Sequence, residues 1–178
     1  PFRTPSAFFN AIFQIAFQQS CAPAAVTALR PPLLGTKTSR NGFAASFFKQ
    51  AAKEKTLIVM DPRGTALKRH ADHMLQFKPS TDVALLNGLL NVIVSEHLYD
   101  EQYLAAHTEG FEALKSHIAE FTPEAMAPIC GIDPQTIREV ARTFANARAG
   151  IIFWGMGIAQ STHGTDNARC LIALAMVT

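Results

Sequence analysis

The chain has 178 residues, 48% of them hydrophobic and 17% charged, with a formal net charge of +2 from 16 basic and 14 acidic side chains. That length and apolar share suit one domain with a buried core and exclude a collagen, a coiled coil or a disordered tail, and the near balance of charge argues against nucleic acid as the main partner. Cys21, Cys130 and Cys170 stand far apart in no C-x-x-C pair, which excludes a disulfide framework or a zinc or iron–sulfur signature and reads as thiols of a reducing compartment.

Pro1 to Lys53 contain no Asp or Glu, although Arg3, Arg30, Lys37, Arg40, Lys49 and Lys53 occur and phenylalanines crowd at positions 2, 8, 9, 13, 17, 43, 47 and 48. Within this stretch Ala22 to Arg40 shows neither helical nor strand periodicity. Residues 1–43 therefore read as an atypical leader, disordered or misread, with an organelle transit peptide as the alternative for its acid-free composition. A chain that opens at Pro1 and stops at Thr178 behind the apolar run Leu171 to Val177 reads as a piece of a longer polypeptide.

From residue 44 to 178 the pattern is an α/β alternation. Phe43 to Lys53 predicts a helix, and Leu57 to Met60 is a short apolar run of the kind buried in parallel sheets. Asp61-Pro62-Arg63-Gly64-Thr65 ends that strand, since proline and glycine forbid its continuation. It places an acid and a base at the carboxyl edge, where ligands of open α/β sheets sit. Met74 to Phe77 runs into Lys78-Pro79-Ser80-Thr81-Asp82, where Ser80, Thr81 or Asp82 can cap a helix from Val83 to Glu96. Asn87 and Asn91 interrupt the apolar run Val83 to Val94, which falls short of the roughly 20 residues of a membrane span.

Helices follow over Asp100–His107 and Phe111–Phe121. Thr122-Pro123 and Asp133-Pro134 each put a capping residue before a first-turn proline, and Gly131 ends the helix between them. Gly150 opens the strand Ile151 to Trp154, which breaks at Gly155-Met156-Gly157 before a last helix from Thr165 or Asp166 to Met176.

Several constellations carry chemistry, each with a plainer alternative. Gly155 and Gly157 after a strand suit phosphate oxygens at backbone N–H groups, but Gln160 stands where G-x-G-x-x-G needs its last glycine, and a tight turn explains the pair as well. Asp61 and Arg63 fit an ion pair, a cap or a ligand contact. At the next turn Asp82 suits two N–H groups of a guanine and Lys78 a phosphate; the alternative is a helix cap and a solvated lysine. His70 and His73 have the spacing of a metal pair without further ligands and read as packing or surface residues. His163 lies in a loop nearer a ligand. A hydrolase motif, a P-loop and a basic–aromatic stripe are all missing.

Taken together, Leu57-Ile-Val-Met-Asp-Pro-Arg63, His70-Ala-Asp72, Gln76-Phe-Lys-Pro-Ser-Thr-Asp-Val-Ala-Leu-Leu-Asn87, Leu98-Tyr-Asp100, Thr108-Glu-Gly-Phe-Glu112, Thr122-Pro-Glu124 and Phe153-Trp-Gly-Met-Gly-Ile-Ala-Gln160 resemble one family. It is the large catalytic subunit of molybdopterin-dependent formate dehydrogenases. The resemblance runs from about Ala44 to Thr178 and leaves the leader out.

It implies a Rossmann-like layered parallel sheet with helices, an incomplete α/β domain over 44–178, and a bis(molybdopterin guanine dinucleotide) cofactor carrying Mo or W. Asp61, Pro62 and Arg63 are implied to meet a guanosine and its phosphates. Lys78, Pro79 and Asp82 match the guanine-recognition turn, and Met156, Gly157 and Gln160 the loop near pterin and pyrophosphate. Formate would be oxidised to carbon dioxide in the intact enzyme, with electrons leaving through a 4Fe-4S cluster toward electron-transfer subunits, in the cytoplasm, with no nucleic acid and no membrane span.

The reacting centre is where the chain departs from the family. Cys21 is followed by Ala22 in no matching context, so the metal-ligand role is not carried onto it. The four-cysteine cluster motif is missing, and the substrate arginine belongs to a stretch beyond Thr178. No catalytic or metal-ligating residue is assigned, and the isolated chain is expected to be inactive. The alternatives are a non-catalytic remnant or binding module of the same fold, with an out-of-frame leader, or a related oxidoreductase resembling nitrate reductase.

Overall fold

The computed structural model describes residues 11–15 and 48–178. Four parallel strands, β1 (Ala11–Ile15), β2 (Thr56–Met60), β3 (His73–Leu75) and β4 (Gly150–Phe153), form one sheet in the order β3-β2-β1-β4. Between β3 and β4 run α1 (Asp82–Ser95), α2 (Glu101–His107), α3 (Phe111–Ile118), α4 (Pro123–Cys130) and α5 (Pro134–Ala145); α6 (Met156–Ala159) and α7 (Gly164–Val177) follow β4. The expected α/β layering with a helical excursion after residue 100 is thus the observed one.

Neighbouring residues of β2 enter different clusters. Ile58 and Met60 join the main core with Leu75, Leu85 and Leu89, while Leu57 and Val59 pack with Phe48 on the other side. A parallel strand covered on both faces must be apolar at every position, which is why the run shows no polar alternation. The Phe48 ring meets Phe153 of β4 edge-on, with centroids 5.4 Å apart.

β1 holds a central place that its sequence did not announce. Ala11–Ile15 lies inside the stretch that the sequence reading sets apart, yet it pairs with β2 on one side and β4 on the other. Ala22 to Arg40, Cys21 and the first part of the helix expected over Phe43–Lys53 lie outside the described residues; the rest of that helix is present over 48–51.

α1 is the axis of the helical layer, against which α3, α4, α5 and α7 pack. Every residue from Leu85 to Val94 is buried, so the helix is apolar all round rather than on one stripe. The two asparagines that break the run are its polar clasps. Asn91 Nδ2 donates to the Ile118 carbonyl at 2.9 Å, and Asn87 Oδ1 accepts from Cys170 Sγ at 3.3 Å. Asn91 thereby holds the end of α3, which stops at Ile118 and not at Phe121 as the pattern suggests.

The expected helix starts mostly hold. Asp100 accepts from Tyr103 N, Thr122 from Ala125 N, and Asp133 from Gln135 N and Thr136 N, and Gly131 closes α4 at φ +78°. α1 is the exception, because Thr81 gives it no side-chain cap. The Thr81 hydroxyl donates instead to the Lys78 carbonyl at 2.6 Å, closing the preceding turn.

Burial and the nearby Asp166 carboxylate push the Cys170 thiol up to about 11. At neutral pH this leaves about a hundredfold less thiolate than an ordinary cysteine, and the thiolate is the reactive form. Iodoacetamide should therefore leave Cys170 unmodified in the native protein at neutral pH and label it only on unfolding or toward pH 11. Peptide mass spectrometry reads this directly, and labelling at the rate of an exposed thiol would refute it.

Candidate functional site

The strands end level with one another. Met60 pairs with Ile15 on one side and Leu75 on the other, and Phe153 pairs with Gln14. Because all four are parallel, the chain leaves β2, β3 and β4 along one edge, spread over about 14 Å at normal strand spacing. The three candidate clusters sit on these exits: Asp61, Pro62 and Arg63 after β2, Lys78, Pro79 and Asp82 after β3, and Met156, Gly157 and Gln160 after β4.

At the β2 exit Asp61 is 3% exposed. Its Oδ1 accepts from the Arg63 N–H at 2.7 Å and faces Arg63 Nε at 3.5 Å. The carboxylate therefore folds the turn, a local use of aspartate that replaces a strand bond. The Asp61 N–H continues the ladder to the Leu75 carbonyl, and Gln76 Nε2 donates to the Pro62 carbonyl at 3.3 Å. These two bonds lock the β2 and β3 exits together, and the Arg63 side chain remains half exposed above them. Of the roles open for Asp61, the ion pair with Arg63 is present, and the same carboxylate oxygen also builds the turn that presents Arg63.

At the β3 exit Lys78 has a structural task that the sequence did not reveal. Its N–H donates to the Cys130 carbonyl at 2.8 Å and its Nζ to the Pro128 carbonyl at 2.8 Å. Both are terminal carbonyls of α4, where a cation is favoured by the helix dipole. The lysine stem crosses Gly131 so closely that a Cβ there would lie 3.2 Å from Lys78 Cε. Lys78 is exposed and its ammonium has further donors, so capping α4 and meeting an anion are compatible. Pro79 and Ser80 are exposed, and Ser80 turns the chain at φ +65°.

Asp82 opens α1. Burial raises its carboxyl above the ordinary range, offset in part by a hydrogen bond from its own backbone. The carboxylate is half-buried and still reached by solvent, so its oxygens are open to a ligand that brings two N–H groups.

At the β4 exit Trp154 and Gly155 lead into the short α6, which carries Met156 and Gly157 and ends at Gln160; Gln160 Nε2 contacts Met156 Sδ at 3.4 Å. The chain then doubles back to Gly164, where α7 begins, one residue ahead of the earliest start read from the sequence. Only glycine fits at this point. A Cβ on Gly164 would lie 2.1 Å from the Ala159 carbonyl oxygen. Asn167, one turn into α7, donates from Nδ2 to the Ile158 carbonyl and to Ser161 Oγ, both at 3.1 Å.

Local pattern does not single out Gly164 or Asn167, although Asn167 carries a signal. It shares a helical face with the buried Leu171 and Leu174, and an amide on an apolar face needs a polar partner. His70 ends a 3-10 turn, His73 opens β3 and His163 is an exposed residue before α7. Among the described residues no group of three or more His, Cys, Asp or Glu is placed to hold a metal ion.

The arrangement is an open edge with one exposed arginine, one exposed lysine, a half-buried carboxylate and a glycine-containing strand exit that leads into α6. A cleft of 510 Å³ beside β4, lined by Gly150, Trp154, Ile172 and Met176 among others, includes none of the nine candidate residues. Such an edge suits an extended, phosphate-bearing ligand laid across it rather than a small enclosed substrate.

Residues 33–178 match the family model described as molybdopterin oxidoreductase. The F420-dependent formate dehydrogenase subunit alpha of Methanocaldococcus jannaschii is 44% identical over 129 residues, covering 71% of this chain and 19% of that protein. Formate dehydrogenase H of Escherichia coli is 40% identical over 122 residues, covering 68% of this chain and 17% of that protein. The chain thus spans less than a fifth of the length of these curated relatives. Among solved structures, the acetylene hydratase from Pelobacter acetylenicus superposes with a TM-score of 0.73 at 28% identity, covering 96% of this chain and 22% of that one.

Proposed function

We propose that this chain, which belongs to the molybdopterin oxidoreductase family, is the part of a formate dehydrogenase catalytic subunit that cradles a molybdopterin guanine dinucleotide. The observation that carries the reading is the common edge: three separate clusters leave three parallel strands at one level, with the half-buried Asp82 carboxylate at the head of α1. The residues present fit such a group. Guanine offers an N–H pair to the Asp82 carboxylate, Lys78 and Arg63 offer cations to phosphates, and the Gly155–Gly157 backbone allows close approach.

When bound, the cofactor supplies two-electron metal chemistry, for which Mo and W are the candidates in a bis(molybdopterin guanine dinucleotide). The residues of this chain bind and orient. Asp61 shapes the turn that presents Arg63, Pro79 stiffens the turn between Lys78 and Asp82, and Met156, Gly157 and Gln160 border the pterin and pyrophosphate. Formate is the substrate in this reading because the two formate dehydrogenases match at 44% and 40% identity. A 4Fe-4S cluster and electron-transfer subunits belong to the same proposal for the whole enzyme, and the isolated chain is expected to turn over no formate. The unit read from the sequence as 44–178 gains the strand Ala11–Ile15 in its sheet, and the family match begins at residue 33.

A cytoplasmic setting agrees with Cys130 and Cys170 as free thiols. Among the described residues no helix is long and apolar enough to cross a membrane.

The test is made on the purified intact enzyme. Elemental analysis should find Mo or W, acid hydrolysis should release two guanine nucleotides for each metal, and formate should reduce a viologen dye. Metal-replete enzyme inert to formate would overturn the substrate, and enzyme without guanine nucleotide would overturn the cradle.

A further inference from the structure

Asn167 is 1% exposed, and it spends both amide hydrogens on the loop before α7 rather than on its own helix. Nδ2 reaches the Ile158 carbonyl and Ser161 Oγ, and the Ser161 hydroxyl itself donates to Ile158 at 3.3 Å. This triangle sets the amide's orientation, since turning it over would set Oδ1 against the Ile158 carbonyl, two acceptors face to face. With Nδ2 so placed, Oδ1 is buried and has no hydrogen-bond partner.

An orphaned buried acceptor costs about as much as the donated bonds return. The amide thus adds little to global stability, while selecting one arrangement of Ile158 to Ser161. Gly164 brings α7 against Ala159 from the other end of the same loop. The segment held between these two residues contains Gln160 and follows directly on Met156 and Gly157.

We infer that Asn167 is a positioning residue, which holds the loop from Gly155 to Ser161 in the one conformation that receives the phosphate-bearing part of the cofactor. The inference rests on the cradle reading of the previous section. It adds a residue that touches no ligand and acts through the Ile158 carbonyl and Ser161. An aspartate at position 167 keeps the shape, loses both donors and turns the Ile158 contact repulsive.

The experiment compares wild type, Asn167→Asp and Ser161→Ala in the intact enzyme by hydrogen exchange and by bound guanine nucleotide. Ser161 is exposed, so its truncation keeps the test open should Asn167→Asp fail to fold. In the cofactor-stripped state, amides of 155–164 should exchange about tenfold faster in Asn167→Asp and about threefold faster in Ser161→Ala, with α1 unchanged. In the loaded state the nucleotide content of Asn167→Asp should fall at least about fivefold.

Exchange that rises equally in α1 would reduce Asn167 to a fold-wide structural role and overturn the inference. A loosened loop with full nucleotide content would overturn it as well. Wild-type enzyme without guanine nucleotide would instead overturn the cradle reading, while the exchange comparison still decides whether Asn167 holds the loop.

Discussion

Gly164→Ala is expected to destabilise the protein by roughly 3 kcal/mol or more, the upper range for a side chain forced into filled space. The added carbon would stand 2.1 Å from the Ala159 carbonyl oxygen and 2.8 Å from its carbon. These are backbone atoms, so no rotamer change relieves the clash; either α7 or the Gly155–Gly164 loop must move. Gly64→Ala is the matched control. Its nearest neighbour is Gln76 Oε1 at 3.8 Å, at the far end of a flexible side chain, and its effect should stay within about 0.5 kcal/mol. Urea denaturation of the two variants settles the matter, and equal midpoints would show that the approach at Gly164 is not close.

Asp82→Asn should separate binding from folding. The substitution removes a charge-assisted pair of acceptors, and losing one such contact costs about 1.5–3 kcal/mol, or about tenfold to a hundredfold in affinity for the guanine nucleotide. Two opposing effects act on the fold. The carboxylate gains from the N-terminus of α1, by about 0.3–1 kcal/mol, but burial penalises its charged form. Because the folded-state pKa is raised, that penalty is present above it and is relieved as pH falls through it. Asparagine removes both effects, so the Tm should hardly change while nucleotide content collapses.

The same sign predicts the pH profile. A protonated Asp82 cannot accept two donors, so occupancy in wild type should fall on acidification sooner than an ordinary carboxylate would dictate. Nucleotide content that is unchanged in Asp82→Asn, or flat through the acid range, would remove guanine recognition from this residue.

Much of the fold was legible because its causes are local. The unbroken apolar run of β2, the capping residues Asp100, Thr122 and Asp133, and the glycine that ends α4 each act within a few residues of themselves. The placement of three clusters at strand exits was legible for the same reason. Strand, turn and helix follow one another in the sequence, and a parallel sheet sends every such exit to one edge. The motif order from Leu57 to Gln160 pointed to the family, yet does not decide the reaction, since the fold is shared with an acetylene hydratase at 28% identity.

What the sequence by itself determined, then, is the alternation of elements, their caps, the family and the three stretches that line the edge. Only the tertiary structure decided how individual residues are used. Lys78 caps a helix whose Pro128 carbonyl is 50 residues away, Asn87 meets Cys170 across 83 residues, and Ala11–Ile15 stands between two strands of distant origin. Gly164 and Asn167 belong with these although their partners are near in sequence. Their constraint arises only when α7 folds back on the loop and brings backbone against backbone, and no periodicity or propensity records a contact made by the path of the chain through space.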